Sequence, residues 1–190
     1  MFDNYFSTLG QFSLFGQAEK EILMPYLSIK KVPKGAYILN SEEECKHIYY
    51  LNKGFAREFY YKDGKEITEW FAGENEFCFS INSYFNNEPS KLLIETLEDS
   101  EVIYMHKDGL MGLSKTNLAI GQLAINMFAR SLVFSQERMN SILFQSAKDR
   151  YINLLERQPE IIQKVPLSHI ASFLGITQET LSRIRAKVND

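Results

Sequence analysis

The segment ITQETLSRIRAKVND, residues 176–190, brings Gln178, Glu179, Thr180, Ser182 and Arg183 together within one short helical pattern. These side chains suit the edges of base pairs. An arginine fork matches guanine, glutamine pairs with adenine through two hydrogen bonds, and glutamate accepts from the cytosine amino group. They can do this only if one face of the helix is anchored and the other is presented. At about 100° per residue, Leu181, Ile184 and Val188 form a buried stripe, leaving Glu179, Ser182, Arg183 and Ala186 outward and Gln178 beside the exposed N-terminal end. The expectation is base reading by Gln178, Glu179 and Arg183. Arg185 lies nearer the buried edge, while Ser168, Thr177, Thr180 and Lys187 are candidate phosphate partners.

The positioning elements are legible just upstream, where LSHIASFLGITQETLSRIR reads as helix, tight turn, helix. Ile170 and Leu174 line one face of the first helix, and Ala171 is small enough to let the second approach. Gly175 can take the left-handed conformation that ends a helix, after which Thr177 can cap the next, with Glu179 in its first turn. A plain helical hairpin with a wet polar face would share this amphipathicity. The joint placement of Ala171, Gly175, Ile176, Leu181 and Ile184 at helix-turn-helix spacing favours the DNA-binding reading.

The whole chain argues less clearly, since its 190 residues carry a net charge of −3. That acidity is uneven. Residues 1–147 hold 14 Lys and Arg against 19 Asp and Glu, whereas residues 148–190 hold 7 against 5. The small basic excess at the C-terminal end is compatible with a phosphate backbone but does not by itself predict one. An apolar content of 45% is that of a folded globular protein. The N-terminus lacks a basic start and apolar core, and no apolar run approaches the roughly 20 residues needed to span a bilayer, so a cytoplasmic protein without membrane contact is expected. Cys45 and Cys78 form no CxxC pair, which points to free thiols rather than a disulfide or metal site.

Between the termini the hydrophobic period changes. The start is helical, with Gly16 and Pro25 as breaks, and from about Ile29 to His106 short Val-, Ile-, Tyr- and Phe-rich stretches alternate with turn signals. The clearest hairpin is YLNKGFAREFYYKDGKEITEW, turning at Asp63-Gly64. KLLIETL and SEVIYMH, joined at Glu98-Asp99, are expected to pair as well. A long helix over 116–145 follows, and steps of three and four through 118, 121, 125, 128, 132, 135, 139 and 142 trace an apolar seam suited to self-association. The predicted organisation is a sensor-like unit over 1–115, a dimerisation helix over 116–145, and a helical unit over 146–190. The fold class is α+β, with an antiparallel β unit followed by helices.

This order of parts, with IYYLNKGFAREFYYKDGKEI and IASFLGITQETLSRI as its most specific stretches, resembles the Crp/Fnr family of bacterial transcription regulators. The resemblance implies a cyclic-nucleotide-binding-like β-roll (a double-stranded β-helix), a homodimer held by the long helix, and a recognition helix reading double-stranded DNA. The family's first base-reading position is usually basic, and Gln178 stands there. Its cyclic-nucleotide-binding members carry a glutamate and an arginine where this chain has Ser80 and Ser90, so cyclic AMP is not the expected ligand. Lys91 is adjacent but is expected to face away. Any effector pocket would involve Phe77, Phe79, Ser80, Tyr84, Ser90 and Lys91, with Phe85 nearby, although these aromatic residues would also serve simply to fill the roll. Many relatives continue into a small β wing, and the residues up to Asp190 are too few for a complete one.

No cofactor is expected. Two cysteines fall short of the four that hold an iron–sulfur cluster, and Cys45 with His47 is a weak haem pair. His47, His106 and His169 lie in separate segments with no metal-ligand or nucleophile motif, which argues against an enzyme. The competing reading is a ligand-binding or protein-interaction module that does not read DNA.

Overall fold

The computed structural model describes residues 2–14 and 16–189. Asp190, the end of the stretch expected to be too short for a complete wing, lies outside them. Helices α1 (Asp3–Leu9) and α2 (Gln17–Leu23) precede strands β1 (Leu27–Val32), β2 (Tyr37–Leu39), β3 (His47–Lys53), β4 (Ala56–Lys62), β5 (Lys65–Ala72) and β6 (Phe77–Cys78). Helix α3 (Ile81–Asn86) then leads to β7 (Leu93–Thr96) and β8 (Ser100–His106). The strands form two antiparallel four-stranded sheets, ordered β1-β8-β3-β6 and β2-β7-β4-β5. This is the expected roll. Ile48, Tyr50, Ile94 and Val102 fill its interior, and α1 closes one end with Tyr5 and Leu9, both fully buried.

The β4–β5 hairpin turns on two residues, with Lys62 opposite Lys65 and positive φ at both Asp63 (52°) and Gly64 (73°). Both values suit the primed turn that matches strand twist. The expected pairing of KLLIETL with SEVIYMH is not found: β7 pairs with β2 and β4, whereas β8 pairs with β1 and β3. The connection crosses from one sheet to the other. Asp99 Oδ1 accepts from Lys34 N at 2.9 Å, and Thr96 Oγ1 donates to Pro33 O at 2.7 Å, so this corner is tied to the β1–β2 corner rather than folded on itself.

Helix α4 (Leu118–Phe144) begins where the Asn117 side chain accepts from Ile120 N at 3.0 Å. It buries Ile120, Leu123, Ala124 and Met127 against the roll. Of the expected seam, positions 118, 125, 132, 135, 139 and 142 are exposed, but 121 and 128 are not. Phe128 packs on Phe85 with ring centroids 4.8 Å apart, and a Cβ on Gly121 would lie 3.2 Å from Ser114 O, so both positions turn inward. The outward line runs through 118, 122, 125, 129, 132, 136, 139 and 143, with Leu118 90%, Ile125 62%, Leu132 62% and Leu143 63% exposed. Two apolar faces also explain a second correction. An 18-residue window of α4 has mean hydropathy 1.3, so by length and composition this helix could cross a membrane.

Helices α5 (Ala147–Arg157), α6 (Ile161–Lys164), α7 (Leu167–Leu174) and α8 (Gln178–Asn189) complete the described chain. Ser146 caps α5 by accepting from Asp149 N at 3.2 Å, and α5 ends just ahead of Pro159 as expected. Tyr151, Leu154, Ile161, Ile170, Leu174 and Leu181 form a second core. Phe55, Phe71 and Leu97 of the roll belong to that same core.

Candidate functional site

The α7–α8 corner follows from its residues. Gly175 adopts φ 67° and ψ 35°, its N–H donates to Ser172 O at 3.0 Å, and Ile176 N donates to Ala171 O at 3.0 Å. This satisfies carbonyls that the end of α7 would otherwise leave open. Thr177 Oγ1 then accepts from Thr180 N at 3.3 Å, capping α8. Ala171 is buried between the helices, and Leu181 is fully buried beneath α8.

With that anchor in place, Gln178, Glu179, Ser182, Arg183 and Lys187 are exposed. Arg183 Nε donates to Glu179 O and its Nη2 to Thr180 Oγ1, both at 3.4 Å, which lays the guanidinium along the outer face. The Glu179 carboxyl is held below its ordinary range, chiefly by the Thr177 hydroxyl, then by its own backbone N–H and by Arg183. It is therefore an ionised acceptor. Of the four candidate phosphate partners, Thr177 and Thr180 sit at the start of α8, Lys187 lies near its end, and Ser168 is exposed at the start of α7. Arg185 is half-buried, with Nε lacking a hydrogen-bond partner.

The back of α7 lies against the roll. Ser172 Oγ accepts from Thr68 N at 2.9 Å and donates to Glu66 O at 2.8 Å, completing hydrogen bonds along the edge strand β5. Arg57, 3% exposed, bonds Glu66 at 2.6 Å and Glu95 at 2.7 Å, and His169 Nε2 stands 3.9 Å from Glu66. From α4, Arg138 donates to Phe173 O and its guanidinium lies 4.0 Å from the centre of that ring. Arg150 Nε donates to Leu174 O at 3.1 Å, and its Nη1 donates to Gln145 O at 2.7 Å. Sequence reasoning missed Ser172, Arg57, Arg138 and Arg150 because their partners lie far along the chain.

A cavity of about 260 Å³ opens between the roll and α4. Phe77 and Phe79 line it, but Ser80, Tyr84, Ser90 and Lys91 do not. Ser90 Oγ donates to Ser80 Oγ at 2.9 Å, with Ser80 2% and Ser90 1% exposed, so this pair closes on itself. Tyr84 is fully buried, and Lys91 is exposed in the bend ahead of β7. Cys45 and Cys78 are buried free thiols, and the described residues hold no cluster of three or more metal-ligating side chains.

Residues 29–117 match the family model of the cyclic nucleotide-binding domain. Over 187 residues, spanning 89% of this chain and 78% of the relative, the chain is 27% identical to the HTH-type transcriptional regulator ArcR of Staphylococcus aureus. Among solved structures, FixK2 from Bradyrhizobium japonicum superposes with a TM-score of 0.74 at 17% identity, covering 86% of this chain and 84% of that one. A protein from Eubacterium rectale assigned to the Crp/Fnr transcriptional regulators gives a TM-score of 0.72 at 21% identity, covering 96% and 86%.

In fold the chain is similar to a Crp/Fnr regulator. Within this roll the Ser80–Ser90 pair has a clear consequence. Two neutral hydroxyls bonded to each other, with Ser90 Oγ also accepting from Leu92 N at 3.0 Å, offer no cation to a cyclic phosphate. The cavity of about 260 Å³ lies instead beside β5 and α4.

Proposed function

We propose that this chain is a dimeric, sequence-specific DNA-binding transcription regulator of the Crp/Fnr type, cytoplasmic, with a sensor unit that does not bind cyclic AMP. One observation carries the reading: α8 is anchored by Leu181 and capped by Thr177 while Gln178, Glu179 and Arg183 are left outward together. The relatives support it: ArcR is an HTH-type transcriptional regulator, and the Eubacterium rectale protein is assigned to the Crp/Fnr transcriptional regulators. Residues 1–115 form the sensor unit, 116–145 the dimerisation helix and 146–190 the DNA-binding unit. The exposed line Leu118, Ile125, Leu132 and Leu143 is the dimer face, a use of its apolar surface that needs no membrane. Gln178, Glu179 and Arg183 read bases, while Ser168, Thr177, Thr180 and Lys187 meet phosphates.

Selection from randomised duplexes tests the assignment. The expected outcome is a two-fold symmetric site, with Gln178→Ala and Arg183→Ala each relaxing preference at particular base pairs. If both variants kept the full sequence preference, the residue assignment would fail. Absence of any salt-sensitive duplex binding would favour the interaction-module alternative.

A further inference from the structure

The cavity beside α4 is walled largely by aromatic rings yet contains a carboxylate. Trp70 and Phe134 stand 5.9 Å apart between centroids, Phe79 and Phe128 6.2 Å apart, and all four line the space. Glu58 lines it too. It is 8% exposed, its Oε1 accepts from Phe79 N at 2.8 Å, and its Oε2 has no hydrogen-bond partner among the described residues. Glu69 adds a second acidic group on the exposed side.

Of the three other charged groups that border the cavity, Glu76 and Arg138 are hydrogen-bonded to the protein. Glu76 bonds Arg157 at 3.3 Å and Gln158 at 3.0 Å. Arg138 is spent on Phe173, and the exposed Arg130 lies 5.3 Å from the Phe12 ring and 5.2 Å from that of Phe134. The group left with bonding capacity in the apolar interior is therefore the Glu58 carboxyl. A buried carboxylate among aromatic faces favours a cation twice, by charge and through the rings.

Resting on the reading of the roll as a sensor, we propose that this cavity binds a small organic cation, an ammonium or similar group on a flat apolar body, with Glu58 as its counter-ion. The volume admits roughly a dozen non-hydrogen atoms at protein packing density. Burial, and secondarily the charge of Glu69, pushes the Glu58 carboxyl up to about 8, so the empty site stores a neutral acid that an arriving cation re-ionises. The occupant would touch Trp70, over which Arg157 of α5 stacks at 4.0 Å. It would therefore bear on a residue that holds the C-terminal helices.

Trp70 is the sole tryptophan, so its fluorescence reports occupancy directly. The full chain at about pH 8.5 is titrated with phenethylamine, 2-phenylethanol and 3-phenylpropionate. A saturable change is expected with the amine, weaker by about tenfold or more with the alcohol, and absent with the carboxylate. Glu58→Gln should cost the amine about tenfold and bring it close to the alcohol. Equal or tighter binding of the carboxylate, no saturable response to the amine, or unchanged amine affinity in the variant overturns the proposal. If Glu58→Gln does not fold, Ser131→Phe, which fills the cavity from α4, decides: retained amine affinity is again contrary. Duplex binding, measured in parallel, separates the two readings. Loss of the amine response with DNA binding intact sinks only the ligand class, whereas an amine response without DNA binding sinks only the regulator.

Discussion

At the scale of the residue, Glu58 concentrates an electrostatic cost. Its folded pKa, about 8, lies above the ordinary 4.5, so the folded state binds the proton more tightly than the unfolded chain does. Stability from this group is complete below 4.5 and is lost as pH rises towards 8. The difference is on the order of 5 kcal/mol. Glu58→Gln, which cannot ionise, should match the parent in denaturant midpoint near pH 4.5 and become progressively more stable than it by pH 8. A constant difference across that range would contradict the burial of the charge. On α8 the residues divide by role: Arg183→Ala should cost about 1–3 kcal/mol at the base pair it reads. Lys187→Ala should weaken all duplexes alike and reduce the slope of log affinity against log salt by about one. Binding isotherms on matched and mismatched duplexes at several salt concentrations distinguish them.

The elements show how few positions set the geometry of the corner and the long helix. Gly175 sits at φ 67° with Ile142 Cδ1 3.8 Å from a Cβ placed there, so the position has room for a methyl but not the backbone for one. Gly175→Ala should lower stability by about 1 kcal/mol or slightly more, seen as an earlier thermal transition, with α8 less protected from hydrogen exchange. Helix α4 invites a test of phase. Leu132 is 62% exposed and lies on the outward line, whereas Phe128 packs against Tyr84 and Phe85. Leu132→Asp should leave the monomer folded and give a monomeric species by analytical ultracentrifugation, while Phe128→Ala should cost about 3–5 kcal/mol of fold stability. A dimer that survived Leu132→Asp would remove α4 as its interface.

For the molecule as a whole, the decisive contact joins the back of α7 to β5. Ser172 serves two backbone groups of that strand at once, so Ser172→Ala leaves Thr68 N without its partner inside a junction that also holds the Arg57, Glu66 and His169 group. The expected cost is about 1–3 kcal/mol, concentrated at the junction. Hydrogen exchange should quicken at Thr68 and along α7 while β3 and β8 stay protected. Uniform loss of protection would mean instead that roll and C-terminal helices unfold as one unit. The shared core of Phe55, Phe71 and Leu97 with Ile170 and Leu174 makes the contact apolar as well as hydrogen-bonded.

What could be read along the chain was whatever depends on neighbours in sequence. The Asp63-Gly64 turn, the Gly175 corner, the Thr177 cap and the outward Gln178, Glu179 and Arg183 follow from local φ preference and helical period, which act within a few residues. The α4 seam was legible only in part: 118, 125, 132 and 139 face outward as its spacing implies, but docking of Ile120, Leu123 and Met127 on the roll turns 121 and 128 inward. The partners of β7 and β8, which are adjacent in sequence yet enter different sheets, were not legible. The cavity is the extreme case. Glu58 stands in a strand where nothing local marks it, and its burial, free oxygen and raised pKa arise only when β4, β6 and α4 close around it. Long-range packing sets the dielectric and the partners of a side chain, and these belong to the tertiary structure alone.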